Sequence, residues 1–467
     1  MKTDYFKDKK VTVMGLGLLG RGVGDAAYIA AAGAAEVIVT DLKTREELAD
    51  SVVQLEQYDN IQFVLGEHRN EDFVDRDLVL VAAGVPMDSP YLAVAKGAGV
   101  PLKQSAALFA ELANIPVIGV TGTRGKSTVA NMIHHVLTFT TGEQILLGGN
   151  IRGVSNLQLL NEVQEDSLCV MELDSWQLQG WGWNEMSPQI SVFTNFMEDH
   201  QNYYRASERI DQTGLSASER AKIESSAYKG AMDLYFKDKA QIYLHQDPGG
   251  VLVTTPEVFD LAKQHGGNIA GEVVLADASG IPEDCLLAMP GEHNRLNAAL
   301  AYEALKAVSL TDEEIFDGLA SFGGVEGRLQ LVKTVDNVRI YNDNNATTPQ
   351  ATQAALEALD LGNKNIILIA GGADKGIDVA PLALAITKHC KQVVLTPGNG
   401  TNGLLEILHG QDMPVTVVED LTTAFEEARL VAENGDIILF SPAFASFAQY
   451  TNEYERNDEF MDLVQKV

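Results

Sequence analysis

The sequence predicts an α/β chain with mostly parallel sheets, divided among three domains. Its length of 467 residues agrees with three domains of ordinary size. Two glycine-rich turns, at residues 15–20 and 122–128, each follow a short apolar run and precede a helical pattern. The last third alternates apolar runs with helical patterns, an order typical of parallel sheets. We therefore place the domains at residues 1–114, 115–322 and 323–467.

The first domain has the order of a nucleotide-binding βαβ unit. A strand at residues 11–14 leads into Gly15-Leu-Gly-Leu-Leu-Gly20, a helix follows, and a second strand ends at Asp41. An acid about twenty residues after the last glycine is typical of Rossmann-like folds. Ligands of such sheets bind beyond the carboxyl ends of the strands. The residues predicted to surround this crevice are Leu18, Leu19, Asp41, Leu42, Lys43 and Gly84.

The central domain carries a phosphate-binding motif. Thr121-Gly-Thr-Arg-Gly-Lys-Ser-Thr128 lies between an apolar strand and a helical pattern. In such a turn several backbone N–H groups and the positive end of a helix dipole point at one spot. Lys126 adds a mobile cation for phosphate and Ser127 a hydroxyl for Mg2+, although Val120 replaces the leading glycine of the usual pattern. The motif predicts a P-loop ATPase-like domain with a mostly parallel sheet.

Polar residues follow two further strands of the central domain. The predicted strand at residues 167–171 is followed directly by Glu172, and the predicted strand at residues 190–194 is followed by a polar segment that ends at His200. A carboxylate at the end of a strand beside a phosphate loop is well placed for Mg2+. We interpret residues 148–153, Gly-Gly-Asn-Ile-Arg-Gly, as a flexible polar turn.

Composition and charge exclude several partners. The net charge of −31 argues against nucleic acid and against an anionic membrane surface. The apolar runs are too short to span a bilayer, and the first residues lack the apolar core of a secretory signal. Cys169, Cys285 and Cys390 have no ligand-like spacing, which favours buried thiols in a reducing cytoplasm.

An ordered set of motifs resembles the Mur ligases. The motifs are the phosphate loop, Glu172-Leu-Asp-Ser-Trp-Gln-Leu178, Thr194-Asn-Phe-Met-Glu-Asp-His200, Gly291-Glu-His-Asn-Arg-Leu-Asn-Ala-Ala299, Tyr341-Asn-Asp343, Gly371-Gly-Ala-Asp-Lys-Gly-Ile-Asp378 and Ser441-Pro-Ala-Phe-Ala-Ser-Phe447. They occur in the family's order from Gly15 to near the end of the chain. The resemblance is strongest to the branch that adds D-glutamate to UDP-N-acetylmuramoyl-L-alanine in peptidoglycan precursor synthesis. It implies an ATP- and Mg2+-dependent cytoplasmic ligase, which we expect to be a monomer.

The resemblance also implies roles for the three domains and for individual residues. The first domain would bind the UDP substrate, the central domain ATP, and the Rossmann-like last domain the amino acid. The implied catalytic residues are Lys126, Glu172, His200 and Lys239, and the metal ligands Ser127, Glu172, His200 and carbamylated Lys239, with Lys237 as a fallback. The implied ATP contacts are Gly122, Thr123, Arg124, Gly125, Lys126, Ser127, Thr128, Asn294, Arg328 and Asp343. Asn150 joins the UDP-substrate residues, and the amino-acid residues are Thr347, Lys375 and Ser446.

Three departures from the family pattern leave part of this function open. Asn345 stands where the family usually has lysine. Ala448 and, by count, Glu453 replace an aspartate and an aromatic residue, although Tyr454 could supply the aromatic ring. The polar and charged segment 205–230 is longer than the family leads us to expect, and we interpret it as a surface helix or a lid insertion. The first two departures leave the identity and stereochemistry of the amino acid undecided.

Three alternative functions therefore stay open. A sibling ligase of the Mur or folylpolyglutamate type would use another amino acid. An NAD-dependent dehydrogenase would explain the turn at residues 15–20 but not the phosphate loop or Glu172. A non-catalytic nucleotide-binding module would retain only the fold, which the intact Lys126, Glu172 and His200 argue against.

Overall fold

The computed structural model describes residues 4–17, 20–204, 230–265, 267–283, 285, 287, 289–360, 362–411 and 413–467. The chain forms two compact units. One unit comprises Met1–Gly280 and Ala299–Ile315, and the other comprises Ile281–Ala298 and Phe316–Val467. The predicted crevice residues Leu18 and Leu19 lie outside the described residues. So does the predicted insertion at residues 205–230, apart from Gly230.

The first unit begins with a five-stranded parallel sheet of order β3-β2-β1-β4-β5. Its strands are β1 Lys10–Met14, β2 Glu36–Asp41, β3 Ile61–Leu65, β4 Leu78–Val81 and β5 Leu102–Lys103. The surrounding helices are Arg21–Ala31, Ala49–Leu55, Pro90–Gly97 and Ser105–Ala113, with a 3-10 turn at Asn70–Phe73. The strands are rich in valine, isoleucine and leucine because helices cover both faces of a parallel sheet.

The same unit contains a six-stranded parallel sheet of order β11-β10-β9-β6-β8-β7. Its strands are β6 Val117–Thr121, β7 Ile145–Gly149, β8 Leu168–Glu172, β9 Ile190–Phe193, β10 Val251–Thr254 and β11 Glu272–Leu275. Its helices are Lys126–Thr141, Ser175–Trp183, Gln201–Tyr204, residues 230–240 and Pro256–Gln264, with 3-10 turns at Gln158–Asn161 and Ala278–Gly280. One continuous apolar core joins the two sheets of this unit, from Phe6 to Ala262.

The second unit contains a six-stranded sheet of order β12-β13-β17-β14-β15-β16. Its strands are β12 Gln330–Val335, β13 Val338–Asn342, β14 Ile366–Ala370, β15 Cys390–Leu395, β16 Val415–Val417 and β17 Ile437–Phe440. Its helices are Pro349–Leu359, Ala380–His389, Asn399–Leu408, Leu421–Val431 and Glu453–Gln465, with a 3-10 turn at Ser446–Ala448. Helices Glu292–Ala307 and Asp312–Ser321 each have residues in both units.

The predicted α/β class with parallel sheets is confirmed, with one exception in the last sheet. The edge strand β12 runs antiparallel to β13. Asp336 and Asn337, both with positive φ, form the two-residue turn between these strands, which is typical of a tight hairpin. The proposed domain boundaries stay a prediction.

The predicted flexible turn at residues 148–153 was partly wrong. Gly148 and Gly149 belong to strand β7, paired in parallel with Met171 and Glu172. A Cβ on Gly149 would lie 2.0 Å from the Glu172 carbonyl oxygen, so the glycine permits close strand packing. The irregular segment begins only at Asn150.

Strand register places three polar segments at one edge of the central sheet. Val120 pairs with Glu172, and Thr121 pairs with Phe193, so β6, β8 and β9 end together. The phosphate loop, Glu172 and the segment after Phe193 therefore share the carboxyl edge, as the sequence predicted. Among the helices in the described segments, none combines the length and hydropathy that crossing a membrane requires.

Candidate active site

The phosphate loop is held in place by the segment that follows β9. A Cβ on Gly122, whose φ is +149°, would lie 1.9 Å from the Thr194 hydroxyl oxygen, so a side chain does not fit there. The backbone N–H of Thr123 donates to the Asn195 carbonyl at 3.0 Å, and that of Arg124 donates to the Asn195 side chain at 2.8 Å. Helix Lys126–Thr141 begins directly afterwards, so the N–H groups of its first turn and its positive dipole end lie at the loop.

Lys126 folds back over this loop. Its Nζ donates to the Thr123 carbonyl oxygen at 3.1 Å. A flexible lysine in that position can transfer its hydrogen bond to an incoming phosphate oxygen. The loop therefore combines backbone donors with a mobile cation, which is the chemistry predicted from the motif.

Glu172 ends strand β8 and is buried. Its Oε1 accepts a hydrogen bond from Asn150 Nδ2 at 3.2 Å, and Asn150 Oδ1 in turn accepts one from Arg21. Arg21 can only donate, so the Asn150 oxygen faces Arg21 and the Asn150 NH2 group faces the Glu172 carboxylate. The structure thus links a predicted UDP-substrate residue directly to a predicted metal ligand.

Lys239 lies beside the phosphate loop and is only 1% exposed. Its Nζ donates to the Gly122 carbonyl oxygen at 2.7 Å and lies 3.4 Å from the Thr121 hydroxyl. Burial, and secondly the charge of Lys126, lower the pKa of Lys239 well below its ordinary value. A partly neutral amine is what carbamylation requires. Lys237, the fallback, is exposed, so the geometry favours Lys239, while carbamylation itself stays a prediction.

His200 is held between two aromatic rings. Its ring centroid lies 4.7 Å from that of Trp176 and 5.7 Å from that of Tyr235. Burial lowers the pKa of His200, and the opposing effect of neighbouring Asp199 is smaller. The backbone of His200 adopts a φ of +53°, which is uncommon outside glycine and occurs often at functional sites. The environment therefore favours the neutral imidazole, the form that coordinates metals.

The residues present fit a magnesium ion that keeps much of its water. In the part of the chain that the structure describes, no three His, Cys, Asp or Glu side chains converge to form a metal cage. Mg2+ seldom uses such a cage, because it binds one or two carboxylates together with waters and substrate phosphates. The buried Glu172 carboxylate and the Ser127 hydroxyl at the start of the phosphate-loop helix offer oxygen ligands of this kind.

The crevice of the first sheet is shaped by Asp41. Its Oδ2 accepts from the backbone N–H groups of Leu16 at 2.8 Å and Gly17 at 3.2 Å, and its Oδ1 accepts from the backbone N–H of Lys43 at 2.9 Å. The carboxylate therefore ties the end of β2 to the glycine-rich turn. Leu42 next to it is 66% exposed and offers an apolar surface at the mouth of the crevice.

In the second unit, Asp343 is buried at the end of β13. Its Oδ1 accepts from the backbone N–H of Leu329 at 3.0 Å, and its Oδ2 from the Ser441 hydroxyl at 2.8 Å. Burial raises the pKa of Asp343 to about 7, against the opposing effects of those bonds and of Arg328. The structure thus brings Arg328 and Asp343, two predicted ATP contacts, close together. Asn294, a third, donates to the Pro290 carbonyl at 2.8 Å.

Two of the predicted amino-acid residues are also neighbours. Lys375 Nζ donates to the Thr347 hydroxyl at 2.9 Å on an exposed surface. Asn345, the residue that departs from the family pattern, packs instead against Gly327 and donates its backbone N–H to the Gly327 carbonyl at 2.9 Å. Glu453, the other departure, is the first residue of helix Glu453–Gln465. Ser446 is buried.

Known proteins match this chain over nearly its whole length. Residues 9–104 match the Mur ligase MurD-like N-terminal domain, residues 120–305 the Mur ligase middle domain, and residues 327–444 the Mur ligase glutamate ligase domain. UDP-N-acetylmuramoylalanine--D-glutamate ligase from Roseiflexus sp. is 33% identical, with 98% of each chain covered. The protein of the same name from Streptococcus pneumoniae is 32% identical, with 99% of this chain and 98% of that one covered.

The chain belongs to the Mur ligase family. Solved structures support the fold. UDP-N-acetylmuramate-alanine ligase MurC from Thermotoga maritima aligns with a TM-score of 0.57 at 21% identity, covering 98% of this chain and 99% of that one. MurF ligase from Thermotoga maritima in complex with ADP aligns with a TM-score of 0.56 at 17% identity, covering 99% and 96%.

Sequence reasoning missed several polar residues of this Mur ligase that lie beside the predicted ones. Arg21 is the first residue of the helix after the glycine-rich turn, a position that itself could have signalled an anion-facing cation. Asp238 directly precedes Lys239 and accepts hydrogen bonds from Gln179 and Tyr204, and burial raises its pKa to about 6. No motif marks Asp238, because its partners come from distant parts of the chain.

Proposed function

We propose that this chain is an ATP-dependent ligase that adds D-glutamate to UDP-N-acetylmuramoyl-L-alanine in peptidoglycan precursor synthesis. The observation that carries the proposal is the match to D-glutamate ligases over almost the whole length of both chains, at 30–33% identity. The phosphate loop with buried Glu172 and Lys239 beside it supports catalysis, as opposed to simple nucleotide binding. Cys169, Cys285 and Cys390 are all buried, which is compatible with the cytoplasm as the site of the reaction.

The first chemical step transfers phosphate to a carboxylate. The terminal carboxylate of the UDP-linked substrate attacks the γ-phosphorus of ATP, forming an acyl phosphate and releasing ADP. Positioning and charge neutralisation dominate such a reaction. Lys126 supplies a cation for the transferred phosphate, and the backbone donors of residues 122–128 orient the phosphate chain. Mg2+, held by Ser127, Glu172, His200 and carbamylated Lys239, would supply further charge neutralisation.

The second step forms the amide bond. The amine of D-glutamate attacks the carbonyl carbon of the acyl phosphate, a tetrahedral intermediate forms, and phosphate leaves. Lys375 and Thr347 are our candidates for a carboxylate of the amino acid, because an exposed ammonium and a hydroxyl lie 2.9 Å apart there. Asp41, Leu42, Lys43, Gly84 and Asn150 are the candidates for the UDP substrate, with Leu18 and Leu19 proposed from the sequence.

The amino acid is the part of this function that most needs a test. The experiment measures ADP release with UDP-N-acetylmuramoyl-L-alanine and Mg2+ across a panel of D- and L-amino acids. We expect release with D-glutamate alone. Release with a different amino acid would make the chain a sibling ligase, the alternative that Asn345 leaves open. No amino-acid-dependent release at all would contradict ligase activity. Gel filtration of the same sample tests our proposal of a monomer.

A further inference from the structure

A partly buried hydrogen-bond network surrounds the carboxylate of Asp238. Asp238 lies in the helix at residues 230–240, directly before Lys239. Its Oδ2 accepts from Gln179 Nε2 at 2.7 Å and from the Tyr204 hydroxyl at 2.9 Å. Gln179 is itself buried in helix Ser175–Trp183. Two neutral donors thus converge on one carboxylate oxygen that plays no part in the chemistry proposed above.

The same network extends to the loop at Gly84 and Val85, which borders the proposed UDP-substrate crevice. Gln179 Nε2 lies 3.3 Å from the Tyr203 hydroxyl oxygen. The Tyr203 hydroxyl donates to the Val85 carbonyl at 3.3 Å. Val85 directly follows Gly84, whose φ of +90° turns the chain at the end of the first sheet. Gln179 Nε2 thus donates both to Asp238 and to the Tyr203 hydroxyl, and that hydroxyl passes its own proton to the Val85 carbonyl.

We propose that Asp238 is a positioning residue that, through Gln179 and Tyr203, holds the helix carrying Lys239 against the crevice loop at Val85. This inference rests on the proposed function, in that the loop binds the UDP substrate and Lys239 serves the phosphate site. In this proposal Asp238 links the crevice loop at Val85 to the helix that carries Lys239. Asp238 touches neither substrate in this proposal and acts only through its partners.

The chemistry of the network explains why a carboxylate stands at position 238. A carboxylate accepts at every lone pair and forms charge-assisted bonds, which are about twice as strong as neutral ones. An asparagine keeps the shape and one acceptor oxygen but removes the charge, so the link to Gln179 weakens. Tyr203 and Tyr204 occupy different places in the network, because the Tyr203 hydroxyl donates to Val85 whereas the Tyr204 hydroxyl donates to Asp238.

The test compares Asp238→Asn, Tyr203→Phe and their double variant with Tyr204→Phe and Lys237→Gln in the full chain. Lys237 is the exposed neighbour on the same helix and serves as the unaffected control. We expect Asp238→Asn and Tyr203→Phe each to raise KM for UDP-N-acetylmuramoyl-L-alanine by about tenfold, the size of one lost hydrogen bond. KM for ATP should change less than twofold. The double variant should be no worse than the more severe single one, because both changes break one series of bonds.

Hydrogen–deuterium exchange gives a second readout that requires no activity. The amides of residues 82–89 should exchange faster in Asp238→Asn and Tyr203→Phe, but at wild-type rates in Tyr204→Phe and Lys237→Gln. Unchanged exchange in the first two variants, or effects on KM that multiply in the double variant, would overturn the proposal. Ligase turnover of the wild-type protein, measured in the same series, tests the proposed function separately. A failure of the ligase proposal can therefore be distinguished from a failure of the positioning role of Asp238.

Discussion

Lys239 donates a hydrogen bond from its buried ammonium to the carbonyl oxygen of Gly122, 2.7 Å away. The bond joins a helix from the middle of the chain to the first glycine of the phosphate loop. Because burial disfavours the charged form of Lys239, a modest cost suffices to make it neutral. A neutral amine at this position can react with carbon dioxide to give a carbamate, which adds a negative charge beside Glu172 and the phosphate loop.

We predict that Lys239→Gln lowers ligase turnover by a factor on the order of a hundred or more, the size of a lost charged contact in a site of this kind. Lys237→Gln should retain turnover within a factor of about two, as expected for a solvated surface residue. Enzyme prepared with 13C-labelled bicarbonate should give a carbamate NMR signal in wild type and Lys237→Gln. A carbamate signal that persists in Lys239→Gln would assign the modification to another lysine.

Lys126 makes a separate contribution, and Lys126→Ala should reduce turnover on the order of a hundredfold or more. Its ammonium lies 3.1 Å from the Thr123 carbonyl and can swing to the transferred phosphate. The backbone donors of the loop remain in the variant, so the affinity for ATP should fall by a smaller factor than the turnover rate. Equilibrium binding of ATP and steady-state ADP release measure the two effects. Full turnover in Lys126→Ala would show that the phosphate-loop assignment is wrong.

Much of the fold could be predicted from the sequence because its strongest signals are local. Strand Ile366–Ala370, for example, is an uninterrupted apolar run in the last third of the chain, where the sequence predicts alternating strands and helices. The phosphate-loop helix was also predicted, although it begins earlier than its apolar pattern, at Lys126. Strands β3 and β12 escaped prediction, as did the hairpin turn at Asp336 and Asn337. Short strands of mixed polarity depend on their neighbours in the sheet for stability, and those neighbours are distant in sequence.

The same distinction between local signals and contacts made on folding applies to the candidate site. Lys126, Ser127 and Glu172 could be found because a motif or a strand end marks each one. The partners that shape the site could not, since Arg21 meets Asn150 and Gln179 meets Asp238 only after folding. Lys239 was found through the family resemblance, while its burial, which gives it chemical meaning, is a property of packing alone.

Asp25 provides a test of how the two sheets of the first unit are joined. This buried carboxylate on helix Arg21–Ala31 accepts from the Ser155 hydroxyl at 2.6 Å and the Leu157 backbone N–H at 3.1 Å. Asp25→Ala leaves both donors buried without an acceptor, at a cost of about 1–3 kcal/mol each. Urea unfolding should show this loss, and a smaller one for Asp25→Asn, which keeps an acceptor oxygen. Equal stability of Asp25→Ala and wild type would mean that water or another group replaces the carboxylate.

The stability of the second unit should depend on pH through Asp343. Burial raises the pKa of this carboxyl from 3.8 to about 7 in the folded chain, so the folded state retains a proton that the unfolded state has lost. Its contribution to stability is therefore present at acidic pH and is lost as pH rises from about 4 to 7, at about 1.4 kcal/mol per pH unit. Above pH 7 the effect levels off, because both states are then ionised.

Asp343→Asn isolates this contribution, since asparagine has a similar shape and no titration. The unfolding free energy of the variant relative to wild type should increase between pH 5 and pH 7 and stay constant from pH 7.5 to pH 8.5. Urea unfolding at each pH, followed by a probe in the second unit, measures the difference, in which other titrating groups cancel. A difference independent of pH would place the pKa of Asp343 near its ordinary value, and would mean that the bonds from Leu329 and Ser441, with the charge of Arg328, outweigh burial.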